Sequence, residues 1–466
     1  MEAALRGRAA LGGAVRRGTC LLATLLGAAL MVSACGGSQT DCPGHGGIAA
    51  HPAPGFAEVA LTIPTGDRGG SLTGVCTLTL PKGWTAEVWA RVPSARLEAW
   101  TPVGNLLVSD PADGKVYELI PHAIRSQPPT ARTLLSGLTN PQGLAFDRLD
   151  GQEVLYVAES DELDRYVWTN SGPAKRTVVL GHLPDRGRSG ADVHRMKNVV
   201  VAPDHTVYLD IGSASNASVP APTAGLPRAS VISVQPNGIG VRVFATGIRN
   251  GDGLAFAPDG SLWTAVNERD NIAYPFHRAY AGNADAFDQV IQGYVNDHPP
   301  DELVRLTPGR DVGWPYCNPD PDIDPGAAAT AERYTNPPFD RDAQTNPTGA
   351  RLNCASLAPI ERGLPAHSAP LGFHFLEGSR LPAPWTGGAV VAVHGSWDRQ
   401  PPRAPAVLWL PWDASTHTLG APIALISGFQ LASGDRWGRP VDAVPGPDGA
   451  LYVSDDTAGA IYRIVP

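Results

Sequence analysis

Residues 253–265 read Gly-Leu-Ala-Phe-Ala-Pro-Asp-Gly-Ser-Leu-Trp-Thr-Ala, and residues 441–453 read Val-Asp-Ala-Val-Pro-Gly-Pro-Asp-Gly-Ala-Leu-Tyr-Val. Each is a short apolar run, a Pro/Asp/Gly turn and a second apolar run, the composition of a β-hairpin. Looser copies run from Val199 to Gly212 around Pro203-Asp204 and from Gly143 to Ser160 around Asp147 to Gly151. Another runs from Leu97 to Asp110, with Pro102-Val103-Gly104 at its turn. A hairpin repeated every few tens of residues predicts a β-propeller. In such a fold the loops of all blades converge on one axis, where dispersed polar residues form a single site.

Composition supports this all-β class. The chain has 466 residues with 52 Gly and 45 Pro, which suits many turns and argues against a helical bundle. Its net charge of −9, without a long basic run, argues against nucleic acid as a partner. From about residue 80, six blade-sized units are expected near 84–121, 131–169, 177–235, 241–307, 365–413 and 422–465. A propeller commonly closes by mixing N- and C-terminal strands in one blade, so these boundaries can shift. Residues 269–300 and 316–364 interrupt the rhythm and are read as functional loops.

The first residues read as an export signal. Arg6, Arg8, Arg16 and Arg17 precede an apolar stretch from Cys20 to Val32, too short to span a bilayer. It ends in Val32-Ser33-Ala34-Cys35, which resembles a bacterial lipobox and makes residues 1–34 a signal peptide and Cys35 the lipidated residue. An ordinary signal peptide with an incidental Cys35 is the alternative. Residues 35–79 are read as a flexible tether and 80–466 as the propeller. The expected location is extracytoplasmic, anchored to the membrane by lipid. Cys42, Cys76, Cys317 and Cys354 then allow three pairings. Of these, Cys42–Cys76 and Cys317–Cys354 are expected, in an oxidising compartment.

No Gly-x-Gly-x-x-Gly junction, Gly-x-Ser-x-Gly elbow, His-Glu-x-x-His or Cys-x-x-Cys-His is present. Chemistry must therefore come from several blades. Five polar clusters adjoin strand sequences: Pro141-Gln142-Gly143, His194-Arg195-Met196-Lys197, Gly247-Ile248-Arg249-Asn250, His394-Gly395-Ser396-Trp397-Asp398-Arg399 and Arg436-Trp437-Gly438-Arg439. A mouth rich in Arg and His favours a carboxylate-bearing ligand.

In this order the clusters resemble the soluble glucose and sorbosone dehydrogenases, and most of all the sorbosone dehydrogenase-like branch. The likeness covers roughly residues 84–465. It rests on His194 followed by Val199-Val200-Val201-Ala202-Pro203-Asp204, on Ile211-Gly212-Ser213 and on Gly247 through Phe256. Val266-Asn267-Glu268-Arg269-Asp270, Asp301-Glu302-Leu303, Gly313-Trp314-Pro315, His367 through Gly372 and His394 through Trp397 add to it.

The resemblance implies a six-bladed propeller using pyrroloquinoline quinone (PQQ) and Ca²⁺. It also implies oxidation of a sugar hydroxyl or hydrated aldehyde, with electrons leaving to an external acceptor. By motif, His194 would be the general base and Arg249 would stabilise charge on the quinone oxygen. Gln142, Asn250, Arg399 and Arg439 would contact the cofactor, and Asp270 would serve the metal. The chain departs from the glucose-oxidising branch in having Ser213 and Val193 where that branch has acids, although Asp192 is near. It has Asp270-Asn271 where that branch offers Gly-Pro carbonyls to Ca²⁺. His367 either faces the axis or caps a loop, and Trp314, Trp397 and Trp437 either wall the pocket or pack between blades. Two rival readings stand beside this one. A metal-dependent sugar lactonase would hydrolyse lactones without quinone. A non-catalytic binding module would fold stably and bind no quinone.

Overall fold

The computed structural model describes residues 53–124, 127–185, 194–218 and 225–466. Cys35, Cys42, Asp192 and Val193 lie outside the described residues, and with them the lipidation and half of one expected disulfide.

The hairpin phrase forms as read. Gly253–Phe256 pairs antiparallel with Leu262–Val266, and Pro440–Pro445 pairs with Leu451–Asp455. In the first, Ala257 N–H donates to Ser261 O (2.8 Å), Gly260 takes a positive φ of 81°, and Asp259 accepts the Ser261 N–H (3.0 Å). These are the reasons for Pro-Asp-Gly at the turn. Gly253 opens the phrase because neighbouring innermost strands meet there. A Cβ on it would lie 2.5 Å from Leu371 O and 2.7 Å from the Phe373 Cβ.

Each phrase is the inner pair of strands of a four-stranded blade. Blade 1 is Glu98–Trp100, Leu106–Asp110, Lys115–Ile120 and Thr130–Ser136, and blade 2 is Leu144–Leu149, Gln152–Ala158, Leu163–Thr169 and Gly172–Leu180. Blade 3 is Val199–Val201, Val207–Ile211, Ser230–Val234 and Arg242–Thr246, with the short strand Arg310–Asp311 added parallel at its edge. Blade 4 is Gly253–Phe256, Leu262–Val266, Asp301–Leu306 and Arg362–Leu364. Blade 5 is Pro370–Phe375, Ala389–Val393, Ala406–Leu410 and Ile423–Ile426. Blade 6 is Pro440–Pro445, Leu451–Asp455 and Ala460–Val465, completed by the N-terminal strand Thr85–Arg91. Successive innermost strands touch in chain order, and that of blade 6 touches that of blade 1, so the six blades close into a ring.

Five of the six expected units were one strand out of phase, and 365–413 alone opened on an innermost strand, Pro370–Phe375. Residues 84–91, 131–136, 177–180, 242–246 and 423–426 each opened a unit in the sequence reading, yet each is the outermost strand of the preceding blade. The outermost strands, such as Thr130–Ser136, are more polar and exposed than the inner ones, but short alternating runs do not by periodicity alone say where in a blade a strand lies.

Both faces of a blade are buried, and a core lies between each pair. Leu106 and Val108 pack toward blade 6 with Trp89, Tyr452 and Ile461, whereas Leu107 between them packs toward blade 2 with Leu155 and Val157. Continuous apolar runs are the consequence. Trp263, fully buried between blades 4 and 5, is worth about 3 kcal/mol in burial.

Residues 53–79, read as part of a flexible tether, are built into the body instead. Phe56–Ala60 pairs with Thr77–Pro81, Thr79 bridges Ser427 of blade 5, and Leu61, Leu72, Leu78 and Leu80 are buried in the core shared by blades 5 and 6. Cys317 and Cys354 form the expected disulfide, and Cys76 is disulfide-bonded.

Blade 4 carries both long interruptions. Residues 267–300 join its second and third strands, and 307–361 join its third and fourth. The first holds its own aromatic core of Ile272, Tyr274, Tyr294 and Val295 around one helical turn, Gln292–Val295.

Candidate active site at the propeller mouth

Strands alternate in direction, so the residues entering every first strand and leaving every second strand lie at the same end of the ring. Entering are Arg96, Gln142, His194, Arg249-Asn250, His367 and Arg439 for blades 1 to 6; leaving are Ser213, Asp270, His394 with Asp398, and Asp456 for blades 3 to 6. One hydrogen-bonded network links those of blades 1, 2, 4, 5 and 6. Arg96 donates to Gln142 Oε1 from Nε (3.1 Å) and Nη2 (2.9 Å), and Nη1 pairs with Asp456 (3.1 Å). Gln142 Nε2 donates to Asp252 (3.0 Å), which also accepts from Asn250 Nδ2 (3.3 Å). His394 Nε2 lies 2.9 Å from Asp456, and Arg439 holds the His394 carbonyl through Nε (2.8 Å).

His194 stands over blade 3. Its Nδ1 is 2.9 Å from Ser213 Oγ and 3.2 Å from Ser213 O. Ser213 Oγ already donates its proton to Ser215 O (2.6 Å), and a carbonyl only accepts. Nδ1 must therefore carry the ring proton, which leaves the lone pair of the neutral ring on Nε2. Burial, with the Arg249 cation next, holds the His194 pKa well below the ordinary imidazole value. Gly212 makes this packing feasible, since a Cβ there would lie 2.6 Å from the His194 Cβ and 3.0 Å from Asn250 Oδ1.

Arg249 is 2% exposed. It donates to Asn216 O (3.1 Å), Asn216 Oδ1 (2.9 Å) and Asn267 O (2.9 Å), and it pairs with Asp270 (3.3 Å). Asp270 stands near His367 Nδ1 (3.9 Å), which is 3.2 Å from Asp398 Oδ1, and the three side chains offer ligand atoms within 4.8 Å of one another. Asp398 Oδ1 is buried without a hydrogen-bond partner. His367 Nε2 lies 2.6 Å from Val295 O, so that nitrogen carries a proton and Nδ1 faces the carboxylates.

Two expected contacts are placed differently. Gln142 is fully buried with its amide engaged by Arg96 and Asp252, so it lies beneath the mouth and positions Asp252. Arg399 turns to the insertion, donating to Asn296 O (3.1 Å) and Pro401 O (2.7 Å) and pairing with Asp297 (3.6 Å). The reason is that the 267–300 insertion packs against this loop and offers Asn296 O and Asp297 to the guanidinium. Trp437 packs between blades, Trp397 is exposed, and Trp314 donates to Asn216 O (3.0 Å) behind Arg249. Sequence reasoning missed Arg96 and Asp456, and it gave no role to Asp252 and Asp398, although both lie in stretches it singled out. Arg96 occupies the position before blade 1 that Gln142 and Arg249 occupy in theirs, and correct phasing of the blades would have found it.

Fold and site together define a six-bladed propeller with a polar, cation-ready mouth. The chain belongs to the TrAA12-like family, whose sequence model matches residues 78–466. It is 23% identical over 341 residues to an uncharacterized protein of Borreliella burgdorferi, across 71% of this chain and 77% of that one. It is 26% identical over 292 residues to the pyrroloquinoline quinone-dependent pyranose dehydrogenase of Coprinopsis cinerea, across 55% of this chain and 37% of that protein. The match therefore spans little more than a third of that relative's length. Among solved structures, the holo PQQ domain of the Coprinopsis cinerea pyranose dehydrogenase superposes with a TM-score of 0.67 at 19% identity, covering 92% of this chain and all of that one. The Trichoderma reesei enzyme of carbohydrate-active family AA12 gives 0.64 at 17% identity, covering 83% and 96%. At these identities the superpositions speak for the fold.

Proposed function

We propose that this chain is a PQQ-dependent oxidoreductase that oxidises the hydroxyl or hydrated aldehyde of a sugar and passes electrons to an external acceptor. The observation that carries this reading is the tautomer of His194: a half-buried, neutral imidazole whose Nδ1–H is held by Ser213, leaving Nε2 as the basic nitrogen. The names of the relatives above support the substrate class and the quinone.

The residues present fit the cofactors. Asp270 and Asp398 offer hard oxygen ligands to Ca²⁺, and the unsatisfied Asp398 Oδ1 is the atom such an ion would complete. Arg249, Asn250 and Arg439 border the same mouth and suit a polycarboxylate. When bound there, PQQ would supply a two-electron hydride acceptor and Ca²⁺ a Lewis acid. His194 Nε2 takes the hydroxyl proton as the C–H bond of the same carbon gives up its hydride, so substrate loses two electrons and two hydrogens. Ser213 keeps Nδ1–H in place during the transfer. Unlike a carboxylate, it adds no charge to stabilise the imidazolium.

Saturable binding of PQQ and Ca²⁺ by the purified protein, followed by spectral reduction on adding aldoses and sugar aldehydes, is the expected result. An intact fold that binds no quinone would overturn the reading. The export signal is part of the same proposal: Cys35→Ser should release the protein from the membrane fraction, and retention of that variant would remove the lipid anchor.

A further inference from the structure

A second His–Asp–Asp group lies in the blade 4 insertions, outside the mouth residues. His298, Asp320 and Asp322 are buried, with exposures of 5%, 2% and 8%, and their ligand atoms lie within 4.8 Å of one another. The His298 ring stacks on Tyr294 at a centroid distance of 4.0 Å, and Nδ1 lies 3.0 Å from Tyr294 O. That carbonyl takes the Nδ1 proton. Nε2 points between two carboxylates, 3.2 Å from Asp322 Oδ1 and 3.5 Å from Asp320 Oδ1. A third carboxylate, Asp340, reaches Asp320 from the strand Phe339–Arg341, which pairs with Cys317–Pro319.

The group is short of positive charge and of donors. Among the described residues, His298 is the sole partner in ion pairs with Asp320 and Asp322. Asp320 Oδ2, Asp340 Oδ2 and His298 Nε2 are all buried without a hydrogen-bond partner. Asp320 Oδ1 also accepts the Asp322 N–H (2.9 Å), but a further proton on Nε2 would still leave Asp320 Oδ2 and Asp340 Oδ2 to share one proton or to meet a cation. Unsatisfied buried carboxylates are costly, whereas a divalent cation between these atoms satisfies several at once.

We infer that His298, Asp320 and Asp322, with Asp340 beside them, bind a divalent first-row cation such as Zn²⁺ or Mn²⁺. The donor set decides the class. Here Nε2 itself points between the carboxylates, and one imidazole nitrogen with carboxylate oxygens and no sulfur suits Zn²⁺ and Mn²⁺. Ca²⁺ takes oxygen ligands alone, and at the mouth it would draw on Asp270 and Asp398 and not on His367. The carbonyl that holds the far ring nitrogen is the usual outer partner of a metal-bound His.

The fold gives the cation a structural consequence. Tyr294 O and Val295 O are adjacent carbonyls of one helical turn, and each receives a His from a different cluster: His298 from the rear one and His367 from the mouth. A cation on His298 would anchor this turn, and through it the ring orientation of His367.

The test is metal counting on the full chain, stripped with chelator, dialysed against Zn²⁺ (and separately Mn²⁺) and measured by elemental mass spectrometry. The expected result is one tightly held ion that is lost in His298→Ala and in Asp322→Asn but kept in His367→Ala. A hundredfold excess of Zn²⁺ over its Kd should also raise the Tm of the wild type by a few degrees and leave that of Asp322→Asn unchanged. Asp322→Asn preserves shape and carries the test if His298→Ala does not fold. No uptake by the wild type, or equal uptake by wild type and Asp322→Asn, would overturn the inference. Neither outcome bears on quinone binding, which is read separately by absorption.

Discussion

The mouth and the blade 4 insertion use one chemistry for different ends. Each holds a His whose far nitrogen is fixed by a helical carbonyl and whose near nitrogen faces two aspartates. In the mouth, Asp270 is 22% exposed at its side chain and borders Arg249 and, through it, the catalytic apparatus proposed for His194. In the insertion, Asp320 and Asp322 are buried within the disulfide-linked segment 317–354, against His298 and its stacking partner Tyr294. The exposure of one carboxylate separates them: Asp398, like Asp320 and Asp322, is buried, and only Asp270 gives its cluster an open edge at which a cofactor or substrate can be met. Substitutions at the mouth should therefore alter turnover, and substitutions in the insertion should alter stability.

The largest effect is expected at His194. His194→Ala should lower kcat about 10²- to 10⁴-fold, the range for loss of a general base, with PQQ binding and Tm nearly unchanged. Steady-state kinetics beside absorption titration reads both, and near-normal turnover would remove His194 from the base role.

Arg96 tests whether the mouth is only chemistry. It bridges Gln142, Asp252 and Asp456 from a nearly buried position, so Arg96→Leu leaves two carboxylates and an amide unmatched. The expected loss is about 3–5 kcal/mol in denaturant unfolding. A loss below about 1 kcal/mol would show that the network is not what holds the mouth together.

The disulfide tests the other region. Replacing Cys317 and Cys354 by Ser should cost about 2–4 kcal/mol, the chain-entropy range for a loop of this size. The insertion should become more sensitive to protease while kcat stays within about twofold. A kcat that collapsed with the disulfide would erase the division between the regions.

The smallest effect is in pH. The folded pKa of His194 lies below its unfolded value, so the neutral base persists as pH falls through about 6.5. The acid limb of kcat/KM should lie below that pH. The same shift makes the group's contribution to stability present above the unfolded pKa and lost as pH falls, because only the unfolded chain then takes up the proton. Ser213→Asp would set a carboxylate against Nδ1–H and should move the acid limb upward by about a unit. An unmoved limb would show that another group controls the profile.

The repeated hairpins, the turn chemistry of Pro258-Asp259-Gly260 and the six-bladed class were legible in the chain, because they depend on neighbours within about fifteen residues. So was the place of His194, Arg249, Asn250, Asp270 and Arg439 at one end of the ring, from their positions beside strand sequences, while their roles stay part of the proposal. The Cys317–Cys354 pairing was legible too. Which strand lies innermost was not, since a short strand-like run carries no mark of its place in a blade and only ring closure ranks it. Nor could the chain disclose that Gln142 is buried under Arg96, that Arg399 turns to Asn296, or that Leu78 and Leu80 belong to the core of blades 5 and 6. Those outcomes depend on contacts between residues tens to hundreds of positions apart. The pairing of His298 with Asp320 and Asp322, and of His367 with Asp398, is of the same kind. Local sequence determined the hairpins and the polar loops that follow them; closure of the ring alone decided which of those loops face one another.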